Sequence, residues 1–138
     1  MSESASAITA KRSGVYRAPA AVTALSAAAS KAGLIWMTLP LGTVANKKQF
    51  FAVCEKQMKL PAYFGGNWDA LADCVRDFNW LSGKGYVLHL TGSEKFAKAA
   101  ADDYQTTLDA LTEAADFWKR KETPFVVLVD GAKDLPAF

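Results

Sequence analysis

Three short apolar runs stand far apart in this chain: LIWMTLPL at 34–41, GYVLHLTG at 85–92 and PFVVLVDG at 124–131. Their spacing constrains the fold more than any other feature. Each is of strand length and ends at a glycine or a turn sequence, so each reads as a buried strand. The stretches between them carry helical patterns. Strands joined through helices need crossover connections, and crossovers give parallel pairing. The sequence therefore predicts an α/β fold in which helices pack over a parallel sheet.

The helices follow from start and stop signals. Residues 1–14 are small and polar and are expected to be disordered. Pro19 is well placed at the start of a helix running to about Lys31, with Gly33 as its stop, so 15–33 reads as an N-terminal helical extension. Phe50, Phe51, Val53, Cys54 and Met58 mark a second helix over 47–59, ended by Pro61. A third is predicted from Asn67 to about Trp80. Ser93 opens a short helix that breaks near Asp102 and Asp103. Tyr104, Leu108, Leu111, Ala115 and Trp118 form the stripe of the last one.

The third helix belongs to the stretch LPAYFGGNWDALADCVRDF at 60–78. Gly65 and Gly66 supply a turn and Asn67 an N-cap. At about 100° per residue, Trp68, Leu71, Val75 and Phe78 share one face. Asp69, Asp73 and Asp77 follow at i, i+4 and i+8 on the other. Like charges so spaced destabilise an isolated helix by a few tenths of a kcal/mol per pair. Asp69 complements the helix dipole in the first turn, and a charged outer face is ordinary for a surface helix. Asp73 is explained least, being past the first turn with a like charge on either side. Tyr63, just before the turn, is either packed on its own domain or presented flat to a partner.

These residues resemble the central motif of barstar-like proteins, inhibitors of barnase-type ribonucleases. The match is in register through Leu60-Pro61, Tyr63, Gly65, Asn67, Asp69, Ala70, Leu71, Asp73 and Cys74, and continues more weakly from about Leu34 to Asp130. The resemblance implies a two-layer α/β fold with a three-stranded parallel sheet in order 1-2-3. The N-terminal helix would be an addition, so that 34–138 forms the barstar-like domain. It also implies a mechanism without chemistry. Carboxylates occupy sites meant for RNA phosphates in a cationic cleft. Asp73 matches the central phosphate-mimicking aspartate, Asp69 the second one and Tyr63 the loop tyrosine. Glu113, within LTEA, matches a glutamate on the later helix, and Gly65 and Asn67 complete the partner-binding loop. Ala72 stands where the best-known member has a tryptophan. The implied partner is an extracellular-type ribonuclease, or a toxin with a basic cleft, met in the cytoplasm. A binding adaptor for a different, non-ribonuclease basic protein is the alternative.

Composition is ordinary for a globular protein. The 138 residues are 51% hydrophobic and 22% charged, enough for one domain with a real core. No run of about 18 apolar residues is available to span a membrane. The net charge of +2 hides an asymmetry: residues 60–118 carry a net −5 and the rest +7. Cys54 and Cys74 read as buried free thiols. His89, the single histidine, lies inside an apolar run and reads as structural. No zinc spacing and no nucleophile with an evident base occurs. The Gly-Gly turn follows a helix and a proline rather than a strand, and Asp69 would repel phosphate, so a nucleotide cradle is disfavoured. Lys119, Arg120 and Lys121 complement the dipole of the last helix, which argues against a nucleic-acid patch. An enzyme, a cofactor and a metal are all unexpected.

Overall fold

The apolar runs become adjacent strands. The computed structural model describes residues 8–138, and in it the runs form β2 (Ile35–Pro40), β3 (Tyr86–Thr91) and β4 (Phe125–Val129). Pairing is parallel throughout, with Met37 opposite Leu88 and Leu88 opposite Val127. β4 is buried at every position and β3 at all but its last, whereas the outer strand β2 is half-exposed.

The expected three-stranded sheet in order 1-2-3 needs correction. The three runs do lie side by side in chain order, but a fourth strand, β1 (Gly14–Arg17), pairs in parallel with the far side of β4. The sheet order is β1-β4-β3-β2. GVYR carries no apolar run of its own. It is held because β4, buried on both faces, needs partners for its second row of backbone groups. Ser13 sets the start of this pairing: its hydroxyl accepts from the Phe125 N–H at 3.0 Å and donates to the Thr123 carbonyl at 3.3 Å.

The N-terminal segment thus differs from the disorder expected over 1–14. From residue 8 onward it is placed: Ile8 is buried and a 3₁₀ turn at Ala10–Arg12 leads into β1. Residues 1–7 of that expectation lie outside the described residues. Within 15–33, the strand precedes the predicted helix, α1 (Val22–Lys31), which ends where Gly33 takes a φ of 82°.

The remaining helices are α2 (Lys47–Gln57), α3 (Trp68–Val75), α4 (Glu94–Ala99) and α5 (Ala101–Arg120). Alternate strand residues face opposite ways, so the sheet builds two cores. On one face Leu39, Leu88, Leu90 and Val127 meet Phe50 of α2, Leu71 and Val75 of α3, Phe96 of α4 and Leu111 of α5. On the other, Val87, Val126 and Leu128 meet Leu25 and Ala29 of α1, together with Ile8 and Phe138. The implied two layers therefore gain a smaller third. Both cysteines are free thiols enclosed in the larger core. No helix among the described residues is long and apolar enough to cross a membrane.

Candidate functional site

The loop before α3 stands on two aromatic pegs. Phe64 is buried and meets Phe51 of α2 edge-on at 5.8 Å. Trp68 meets the same ring at 4.8 Å and lies over Phe50 at 6.0 Å. Between the pegs, Gly66 adopts a φ of +70°, a conformation in which a Cβ is strained. Asn67 then caps α3, its Oδ1 accepting the Ala70 N–H at 2.8 Å. Gly65 and Asn67 thus hold the loop and start the helix, and both are exposed.

With Phe64 turned inward, its neighbour Tyr63 faces outward. It is 58% exposed and is the one large hydrophobic side chain left so among the described residues. Its ring is not loose. It leans edge-on against Trp80 at 6.5 Å, and Trp80 is anchored by donating to the Met58 carbonyl at 3.0 Å. The phenol donates to Asp77 Oδ2 at 3.0 Å. Desolvation first, and then this bond to a carboxylate, push the Tyr63 pKa up to about 12. The phenol is therefore a donor at any ordinary pH.

Asp69, Asp73 and Asp77 are all exposed, as their spacing predicts. They are not equivalent. Asp69 sits in the first turn with no side-chain partner among the described residues. Asp77 accepts from Tyr63. The Asp73 side chain is 71% exposed, and its Oδ1 lies 3.1 Å from Nη2 of Arg76. Arg76 also donates through Nε to the Ala72 carbonyl at 3.0 Å. Asp73 thus faces solvent with one oxygen covered by its own chain. Cys74, the next residue, is fully enclosed, and desolvation raises its pKa, with Asp73 and Asp77 adding to the shift.

α3 is shorter than the sequence pattern suggests. It stops at Val75, with Arg76 as its C-cap, instead of running to Trp80. Phe78 takes a left-handed φ of 50° that drives its ring fully into the core, 4.7 Å from Tyr86. That placement costs about 1–2 kcal/mol of backbone strain, which burying a phenylalanine offsets. Asp77 consequently lies beyond the helix, where it can reach Tyr63.

Glu113 lies on the exposed side of α5, without a side-chain partner among the described residues. α5 packs against α3, and Trp118 ties the two by donating to the Val75 carbonyl at 2.8 Å. The structure therefore gathers Tyr63, Asp73, Arg76 and Asp77 around the end of α3, with Asp69 one turn earlier and Glu113 on the adjoining helix. Asp77 was read from the sequence as part of the acidic face, but its bond to Tyr63 and the cover that Arg76 gives Asp73 were not foreseen. The i, i+3 spacing of Asp73 and Arg76 is a signal that could have found the second of these.

His89, read as structural, is buried on the α1 side of the sheet. It packs edge-on to Trp36 and bonds Asp130 Oδ1 through Nε2 at 2.8 Å. It lies on the opposite sheet face from α3 and takes no part in the site.

Compared with known proteins, residues 35–130 match the barstar family model, described as barnase inhibitor. No curated protein matches the chain. The matched stretch is more than half of the sequence and holds β2, β3, β4 and the whole candidate site, while β1 and α1 lie outside it. This chain belongs to the barstar (barnase inhibitor) family.

Proposed function

We propose that this protein is an intracellular inhibitor, of immunity or antitoxin type, that blocks the cationic active-site cleft of a barnase-type ribonuclease. It is a binding protein in this reading, not an enzyme, and it needs no cofactor. The observation that carries the reading is the pairing of an exposed, held tyrosine with exposed aspartates on a loop and helix pinned from beneath. A cleft built for RNA offers cations spaced for phosphates. Asp69 and Asp73 supply carboxylates there, and Tyr63 supplies a flat ring whose position is largely fixed before contact, so little ordering entropy is lost. Glu113 extends the negative surface along α5, and Gly65 and Asn67 shape the loop. Opposite charge across the contact also speeds encounter.

The test is direct. Titrated into a barnase-type ribonuclease, the protein should abolish RNA cleavage at stoichiometric amounts; unchanged cleavage at excess would remove the proposal. Asp73→Ala should weaken binding by about 2–5 kcal/mol, the usual cost of truncating one partner of a buried, hydrogen-bonded charge pair.

A second reading keeps the site and changes its target to a different basic protein. Ala72 favours it, because a small residue beside Asp73 removes contact area where the resemblance implies a tryptophan. The net charge of +2 also weakens long-range attraction to any cationic partner. Identification of the protein that co-purifies with this one from its source cell separates the two.

A further inference from the structure

The carboxylate best placed to meet a partner already has a cation on it. Arg76, at the C-cap of α3, is held at two points: Nε on the Ala72 carbonyl at 3.0 Å and Nη2 on Asp73 Oδ1 at 3.1 Å. The arginine side chain is 43% exposed and that of Asp73 71% exposed, so the pair sits on the rim, open to replacement. A partner guanidinium that binds both carboxylate oxygens competes with Arg76 for Oδ1. Any partner cation approaching Asp73 also meets a like charge within its reach. Within this arrangement the guanidinium lies back over the Ala72 carbonyl.

We infer that Arg76 is a specificity-determining residue, a built-in competitor for Asp73 that lowers affinity for cationic surfaces in general. It reserves the site for a partner whose cations are numerous and well enough placed to displace it. The inference rests on the partner-binding reading of Asp73 given above. Its physical basis is the modest strength of an exposed ion pair. Such a pair yields to a desolvated, multiply bonded contact but discourages a passing polycation.

The test is a double-mutant cycle on the full chain with a barnase-type ribonuclease: wild type, Arg76→Gln, Asp73→Asn and the double variant. Arg76→Gln should tighten binding about threefold or more and raise the association rate at low salt. The gain should shrink markedly in the Asp73→Asn background, which a merely structural role for Arg76 would not produce. Unchanged or weaker binding by Arg76→Gln overturns the inference, as does an equal gain in both backgrounds. Should Arg76→Gln fail to fold, Arg76→Ser, which also removes the charge, takes its place; binding tighter than wild type supports the inference and binding no tighter overturns it. If no variant binds the ribonuclease, the ribonuclease reading falls by itself. A short oligoarginine peptide, followed by NMR at Asp73, then decides the present inference: tighter binding to Arg76→Gln supports it, and equal binding overturns it.

Discussion

Tyr63 and Phe64 are adjacent aromatics with opposite fates, and the loop depends on both. Phe64 is a peg in the core, and Tyr63 is the ring left exposed on the surface. Desolvation, and after it the hydrogen bond to Asp77, give Tyr63 a pH signature. Its pKa is raised from an ordinary 10.0 to about 12, so the folded state holds the proton more tightly than the unfolded chain. The resulting stabilisation is complete below the ordinary value and is lost as pH climbs from 10.0 towards 12. Tyr63→Phe should therefore lose less stability than wild type across that window, as alkaline denaturation followed by circular dichroism would record. The side chain is exposed, so the difference will be small. At this scale the sequence showed the aspartates facing outward but left Tyr63 open. The contacts of Arg76 and Asp77 were hidden, because they depend on where a long side chain rests and on where the helix stops.

The elements carry the presentation of the site. α3 has eight residues, too few to be stable alone. It relies on the Asn67 cap below, on Trp118 bonding Val75 above and on the pegs of Phe64 and Trp68 beneath. Asn67→Ala should cost about 1 kcal/mol of stability in guanidinium denaturation. The existence and type of the helices α2, α3 and α5 were legible in their apolar spacing. The end of α3 was not: Phe78 continues the helical stripe in sequence, yet it reaches the core from a left-handed turn. Spacing alone does not distinguish those two routes to the same burial.

For the whole molecule, the lesson is the fourth strand. β2, β3 and β4 announced themselves as apolar runs. β1 did not, because four residues gain their strand character from β4, which lies more than a hundred positions away in the chain. Ser13 is where this dependence can be measured. Ser13→Ala leaves the Phe125 N–H buried without its acceptor and should cost about 1–3 kcal/mol, read as a lowered denaturation midpoint. A change below a few tenths of a kcal/mol would mean that the Ser13 hydroxyl does not hold the start of β1. The sheet also separates two jobs. Ile8 and Phe138 both pack on the face that α1 covers, and α3 occupies the reverse side. A linker joined at either place, to a biosensor chip or to a fusion partner, would leave the acidic surface pointing away from its support.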